Sequence, residues 1–65
     1  MSQPKKTITV LLADDHPTTR AGIRAVLEQA DDIQVVGEAE NSQEVQELVT
    51  KLRPGILLLD LKMPG

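Results

Sequence analysis

The stretch that decides the fold is residues 8–17, which read ITVLLADDHP. Its first six residues, Ile8–Ala13, form a nearly continuous apolar run that is rich in β-branched side chains. A short run of this kind predicts a strand that is buried on both of its faces. The two aspartates end the run, and Pro17 suits the first turn of a helix because its fixed φ matches helical geometry. Residues 8–17 therefore predict a buried strand that leads directly into a helix.

Two amphipathic helices are predicted from apolar residues that recur at i, i+3, i+4 and i+7. The apolar positions are Ile23, Val26, Leu27 and Ala30 in the first helix and Val45, Leu48, Val49 and Leu52 in the second. Arg20, Arg24 and Glu28 lie off the first stripe. Asn41 is a favourable N-cap for the second helix, and Glu44 three residues later completes a capping-box pattern. Both stripes are interpreted as faces that pack on a core, not as cofactor sites.

Two further strands complete a βαβαβ pattern. The segment Ile33–Ala39 alternates partly between apolar and polar residues, which predicts a strand more exposed than the first. The segment Ile56–Leu59 is fully apolar and predicts a third strand, which ends at Asp60. Strands that alternate with helices predict a parallel sheet with right-handed crossovers. We therefore expect an α/β fold in which the first and third strands are central and the second lies nearer an edge.

Composition excludes several classes of protein. The 65 residues allow a single small domain, and the absence of cysteine excludes disulfides and thiolate zinc sites. The chain has no Phe, Tyr or Trp, so it cannot stack aromatic rings on nucleic-acid bases. Its formal net charge of −3 argues against direct nucleic-acid binding. The apolar runs are too short to span a membrane, and we expect no membrane association.

Three aspartates follow strands at the edge of the predicted sheet where open α/β folds bind their ligands. Asp14 and Asp15 come after the first strand, and Asp60 comes after the third. If these strands are neighbours, about 4.8 Å apart, the carboxylates converge and repel one another unless they are protonated or bind a cation. Oxygen ligands without cysteine favour Mg²⁺ or Mn²⁺ over Zn²⁺. A single aspartate here would more often be a solvated loop residue, but three in this topology favour a functional site.

The chain contains one histidine, His16, between the acidic pair and the predicted first helix. A helix N-terminus disfavours a cationic side chain because its free N–H groups carry partial positive charge. We therefore interpret His16 as a loop or packing residue and not as a proton-transfer group.

Three segments of the chain resemble a known family. The strings DDHP at residues 14–17, VVGEA at 35–39 and LLLDLKMPG at 57–65 are similar to the N-terminal part of the receiver domain of two-component response regulators, closest to the NarL/FixJ branch. The third string is the most specific, because an aspartate that ends an apolar strand and is followed by x-x-Met-Pro-Gly is the phosphoacceptor signature of that family. The resemblance implies a flavodoxin-like (CheY-like) receiver fragment with strand order 2-1-3. It also implies that residues 1–65 are a truncated receiver domain without its C-terminal half.

The resemblance implies a role for individual residues as well. Asp60 would be the phosphorylated nucleophile, and its phosphoryl donor would be a sensor histidine kinase. Mg²⁺ would be held by Asp60, by Asp15 directly, by Asp14 through a water molecule and by the backbone carbonyl of Lys62. Such a phosphoacceptor turns over no substrate, so we expect a cytoplasmic signalling module and not an enzyme. Members of the NarL/FixJ branch usually control transcription through a C-terminal DNA-binding domain, so DNA would be contacted only through a domain that this chain does not contain.

Two alternatives from other functional classes stay open. The first is a truncated receiver fragment that acts only as a structural or interaction module and associates with itself through the edge of the third strand, Ile56–Leu59, without phosphotransfer. That strand contains no Lys or Pro to protect its edge from pairing with another chain. The second and weaker alternative is a Mg²⁺-dependent phosphohydrolase of similar topology. Enzymes of that kind typically carry a D-x-D motif at a strand end, and residues 60–62 are Asp-Leu-Lys.

Overall fold

The computed structural model describes residues 7–59. Along that range, strands and helices alternate in the order β1 (Ile8–Ala13), α1 (Pro17–Glu28), β2 (Ile33–Ala39), α2 (Ser42–Leu52) and β3 (Ile56–Leu59). The strands form one parallel sheet with the order β2-β1-β3. The predicted α/β fold and the strand order 2-1-3 are therefore confirmed.

The first strand is central, as predicted, but β3 is not central in the sheet formed by residues 7–59. Within that range β3 pairs with β1 alone, and all four of its residues are exposed. An apolar run therefore did not by itself guarantee burial on both faces, because burial of a face requires a helix packed over it, and among residues 7–59 neither helix packs on β3.

The register of the sheet brings the carboxyl ends of all three strands to the same level. Ala13, the last residue of β1, pairs with Ala39 of β2 on one side and with Leu59 of β3 on the other. The β1–β2 register shifts between Val10 and Leu11, which leaves one extra residue in β2. Such a bulge bends its strand locally, and the pairing beyond it runs in step to the end of both strands.

The core is built around β1, whose last four residues are at most 3% exposed. Because successive side chains of a strand point to opposite faces, these residues divide between two clusters. Val10 and Leu12 pack with Val35 of β2 and Leu27 of α1. Ala13 packs with neighbours from β2 and α2 on the other face of the sheet. The two helices therefore contact opposite faces of the sheet, and β1 is buried on both faces as predicted.

The apolar stripe of α1 is less buried than its pattern predicts. Leu27 packs on the core, but Ile23 is 37% exposed and Val26 is 66% exposed. Adjacent helix positions are separated by about 100°, so one contact with the sheet cannot cover Leu27 and Val26 together. No helix within the described range is long and apolar enough to cross a lipid bilayer.

Helix α2 starts at the predicted N-cap. The Asn41 side chain accepts a hydrogen bond of 2.9 Å from the backbone N–H of Glu44. The Glu44 carboxylate accepts a bond of 2.7 Å from the backbone N–H of Glu40, one residue before the N-cap. A capping box would direct this carboxylate to the N–H of Asn41 itself, so the box forms with a shift of one residue.

The last turn of α2 lies against the sheet at Gly37. A Cβ atom built on Gly37 would lie 2.9 Å from Cδ1 of Leu52 and 3.2 Å from Cδ1 of Leu11. Glycine therefore permits the close approach of α2 to β2 at this point.

Candidate functional site

The predicted acidic loop, residues 14–16, is held at both of its ends. The backbone N–H of Asp14 donates a hydrogen bond of 3.0 Å to the carbonyl of Ala39, so the sheet pairing continues one residue beyond β1. Asp14 itself is only 7% exposed. Two residues later, His16 is the N-cap of α1, although its side chain makes no capping hydrogen bond. A buried strand and a helix N-terminus therefore fix the loop within three residues.

The Asp14 carboxylate is oriented by its own loop. Its Oδ1 accepts a hydrogen bond of 2.8 Å from the backbone N–H of His16 and lies 3.1 Å from Nδ1 of the same residue. A carboxylate that accepts from the N–H two residues ahead closes an Asx turn, which competes with regular structure and delays the start of the helix. The free N–H groups of the first helical turn also favour a negative charge at this position.

The Asp15 carboxylate is oriented differently. Its Oδ1 is shielded from solvent and accepts no hydrogen bond. Nδ1 of His16 lies 2.8 Å from this oxygen, close enough for an ion pair when the imidazole is protonated. A shielded carboxylate oxygen without a donor is costly, and such groups in a folded protein call for an explanation such as a bound ion.

Asp14, Asp15 and His16 together fit a small divalent cation. Each offers one ligand atom, and these atoms all lie within 4.8 Å of one another. A cation beside them would lie next to Oδ1 of Asp15, which accepts no hydrogen bond. Two carboxylates are hard oxygen ligands, which suit Mg²⁺ better than Zn²⁺. Asp14 and Asp15 are therefore candidate ligands for such a cation.

The structure brings together part of the predicted site. Asp14 and Asp15 lie side by side, as expected, whereas Asp60 and Lys62 lie outside the described residues. His16, interpreted from the sequence as a loop or packing residue, places its ring against both carboxylates while its side chain stays 63% exposed.

The sequence analysis missed Arg20, which contacts this loop, and Glu38, which pairs with Arg20. The Arg20 side chain is only 13% exposed, although it was placed off the apolar stripe. Its Nε donates a hydrogen bond of 2.6 Å to Oε1 of Glu38, and its Nη1 donates one of 2.7 Å to the main-chain oxygen of Asp14. The sequence did contain a signal for this ion pair. Glu38 is an acidic residue in a largely apolar strand, and Arg20 and Arg24 lie four residues apart on one face of the helix.

Glu38 is the centre of a small ion-pair network. Nη1 of Arg24 donates to Oε2 of Glu38, while Arg20 donates to Oε1. The hydrogen bonds from Arg24 and then Arg20 lower the pKa of the Glu38 carboxyl below its usual value. The hydrogen bonds that Arg24 donates to Glu38 and to Glu28 raise the pKa of Arg24. The network joins α1 to β2 next to the acidic loop.

The acidic loop borders an open cleft between α1 and β3. The cleft has a volume of about 430 Å³ and is lined by Asp14 and His16 at the loop, by Thr19 and Ile23 of α1 and by Leu59 of β3, among others. A ligand could therefore reach the loop from the side of the sheet on which α1 lies.

Comparisons with known proteins identify similar sequences. The sequence profile of the response regulator receiver domain matches residues 10–65. The nitrate/nitrite response regulator protein NarL of Escherichia coli (strain K12) is 51% identical over 57 residues, which are 88% of this chain and 26% of NarL. A protein-glutamate methylesterase/protein-glutamine glutaminase of Paramagnetospirillum magneticum is 47% identical over 57 residues, 88% of this chain and 16% of that protein. The chain therefore spans about a quarter or less of the length of these two relatives.

Solved structures of response regulators have the same fold as this chain. The RcsB response regulator of Salmonella typhimurium superposes with a TM-score of 0.88 at 43% sequence identity, over 94% of this chain and 30% of the RcsB chain. RcsB has also been solved bound to a promoter in the presence of the phosphomimetic BeF₃⁻.

Proposed function

This chain belongs to the response regulator receiver domain family, and from that premise we propose that Asp60 accepts a phosphoryl group from a sensor histidine kinase. Membership of the family implies a role in two-component signalling. The phosphoacceptor, the metal ion and the partners are parts of the proposal.

The choice of Asp60 is supported by the register of the sheet. Leu59, the last residue of β3, pairs with Ala13, the last residue of β1. The next residues along the chain are Asp60 and Asp14, so these two aspartates follow paired positions of neighbouring parallel strands. The proposed nucleophile is therefore the residue that follows the end of β3 in the sequence, as Asp14 follows the end of β1.

The observation that carries the metal proposal is the unpartnered Oδ1 of Asp15 beside the Asp14 carboxylate. We propose that Asp15 binds Mg²⁺ directly and that Asp14, already engaged with His16, acts through water. Asp60 and the backbone carbonyl of Lys62 would complete the protein ligands. When bound, Mg²⁺ would neutralise the negative charge of the carboxylates and of the phosphoryl oxygens.

The proposed chemistry is a phosphoryl transfer between two side chains. A carboxylate oxygen of Asp60 attacks the phosphorus of a phosphohistidine, so that a P–O bond forms while the P–N bond breaks. The kinase histidine leaves and takes up a proton, and Asp60 becomes an acyl phosphate. No substrate is turned over by the chain in this step, so the proposed role is that of a signalling module and not of an enzyme.

For the longer protein, we propose transcription control through a separate DNA-binding domain in the cytoplasm. The support comes from RcsB, which was solved bound to a promoter, and from NarL, which is a response regulator. Residues 1–65 would then be the N-terminal part of the receiver domain in such a protein. The comparisons give no support to the alternative of a purely structural fragment.

Self-association through β3 is a separate proposal with its own observation. The four residues of β3 are 39–50% exposed, and all four are apolar. An exposed apolar strand of this kind favours pairing with a second copy.

Phosphorylation from a small-molecule donor tests the main proposal. We expect the protein, incubated with acetyl phosphate and Mg²⁺, to gain the mass of one phosphoryl group. Asp60→Asn should abolish the gain, because the amide is not a nucleophile of comparable strength. Asp32→Asn, which removes the same charge in the α1–β2 turn, should leave it intact. An unchanged mass gain in Asp60→Asn would refute the assignment of Asp60.

A further inference from the structure

We infer that Arg20 is a positioning residue for the acidic loop, which it holds by the Asp14–Asp15 peptide so that the Asp15 carboxylate is presented to the cation. The inference rests on the proposed function, because it concerns the metal site of the phosphoacceptor. Arg20 lies outside the proposed set of metal ligands, and it contacts the loop through a backbone oxygen.

Arg20 joins three parts of the fold. It lies in the first turn of α1, where its N–H donates a hydrogen bond of 2.9 Å to the carbonyl of His16. Its side chain reaches Glu38 of β2 through Nε and the main-chain oxygen of Asp14 through Nη1, at 2.6 and 2.7 Å. Both distances are short for N–H···O bonds, as is usual when a donor or an acceptor is charged.

The contact with the Asp14 carbonyl constrains Asp15. The peptide group between Asp14 and Asp15 is planar. A donor that holds its carbonyl oxygen therefore restricts the orientation of the whole peptide plane, which includes the backbone nitrogen and Cα of Asp15. Oδ1 of Asp15 accepts no hydrogen bond that would orient the carboxylate. The backbone therefore contributes to the direction of the Asp15 carboxylate, and Arg20 is a side chain that donates to that backbone.

Glu38 keeps the guanidinium of Arg20 in place. A guanidinium is a planar fork with fixed directions, so the ion pair formed by Nε with Glu38 also sets the direction of Nη1. The Glu38 carboxylate is itself held on its other oxygen by Arg24. The Arg20 side chain is mostly buried, whereas that of Arg24 is 40% exposed. The chain of contacts thus runs from β2 through Arg20 to the loop.

Charge and positioning predict opposite effects of removing Arg20. A guanidinium near a divalent cation repels it, so by Coulomb's law alone the loss of Arg20 would strengthen Mg²⁺ binding. If Arg20 positions Asp15, its loss weakens binding instead. Removal of a residue that orients a metal ligand typically weakens metal binding by about 10–100-fold. The sign of the change therefore separates the two effects.

The test compares Arg20→Gln with the control Arg24→Gln in the purified protein. Both variants remove one positive charge from Glu38, but only Arg20 contacts the Asp14 carbonyl. Mg²⁺ titrations followed by NMR give the affinity, and urea unfolding shows that each variant is folded. In the metal-free protein, the Asp15 amide resonance reports the hydrogen bond to the Asp14 carbonyl without any bound ion. Arg20→Lys retains the charge and serves as a second variant if Arg20→Gln does not fold.

We expect Arg20→Gln to weaken Mg²⁺ binding about tenfold or more and to shift the Asp15 amide resonance. Arg24→Gln should change the affinity less than about twofold and leave that resonance in place, and Arg20→Lys should lose part of the affinity despite its charge. Equal or tighter binding by Arg20→Gln, with normal binding by the wild type, would overturn the positioning role alone. No Mg²⁺ binding by the wild type would overturn the metal part of the proposed function, and the positioning role with it.

Discussion

Leu59 of β3 pairs with Ala13 of β1 at the last position of both strands. Because the strands are parallel, their last residues lie at the same edge of the sheet. On the other side of β1, the Asp14 N–H donates to the Ala39 carbonyl, which ties the start of the acidic loop to β2 as well. The location of the candidate site is therefore a consequence of strand register, and the side chains within it are oriented by the loop and by α1.

The metal proposal predicts that Asp15→Asn weakens Mg²⁺ binding by about tenfold or more, since a neutral amide is a much poorer ligand for a hard cation than a carboxylate. Calorimetric titration of Mg²⁺ against the wild type and the variant measures the change. Asp32→Asn is the matched control, because it removes the same charge from a turn outside the loop. Equal affinity in Asp15→Asn and the wild type would remove the claim of a metal site.

The Glu38 network predicts an acid-sensitive contribution to stability. The pKa of the Glu38 carboxyl is lowered in the folded state by Arg24 and Arg20, so folding favours the ionised form. The contribution is therefore present above the unfolded-state pKa, about 4.3, and is lost as the pH falls through the lower folded-state pKa.

Glu38→Gln tests this contribution. At neutral pH we expect the variant to be less stable by about 1–2 kcal/mol, a value between that of an exposed ion pair and that of a hydrogen bond to a charged group. The difference from the wild type should shrink as the pH falls through the folded-state pKa of Glu38, because the wild type then also carries a neutral side chain. Urea unfolding at several pH values measures it, with Glu47→Gln on the exposed side of α2 as the control. A difference that does not depend on pH would contradict the role of the ionised carboxylate.

The core around β1 predicts a large difference between two apolar truncations. Leu11 is fully buried, so Leu11→Ala should reduce the free energy of unfolding by about 3 kcal/mol through lost burial and the cavity left behind. Val26→Ala should change it by less than about 0.5 kcal/mol because Val26 is 66% exposed. A domain of this size has little stability to lose, so Leu11→Ala is expected to be largely unfolded. Similar unfolding midpoints for the two variants would show that the core lies elsewhere.

The exposed strand β3 predicts self-association of the 65-residue chain. Sedimentation velocity at high micromolar concentration should show a dimer or a larger assembly. Leu58→Lys should shift the chain towards a monomer, because a charged side chain on an exposed strand opposes pairing with a second copy. Val26→Lys places the same charge on the exposed side of α1 and should leave the assembly intact. A folded wild type that sediments as a monomer would contradict the prediction.

The sequence by itself determined the order and nearly all the boundaries of the elements. The apolar run Ile8–Ala13, Pro17 at the first helical position and Asn41 at the second N-cap depend on local chemistry that residues near each other in the chain supply. The parallel topology followed from the alternation of strands and helices, and it predicted that Asp14 and Asp15 leave the sheet at its ligand-binding edge. The resemblance to receiver domains added the phosphoacceptor Asp60, which stays a prediction because it lies outside the described residues.

The tertiary structure alone decided which polar side chains meet. Arg20 and Glu38 are 18 positions apart in the chain, and their ion pair exists because α1 packs across β2. The apolar periodicity showed only that Arg20 lies outside the apolar stripe of the helix. Such a pattern identifies the faces of a helix but not the residues that each face contacts. The unpartnered oxygen of Asp15 likewise depends on how the loop closes between Ala13 and α1. Distances across the fold are set by packing, and packing is a property of the folded chain that no short segment contains.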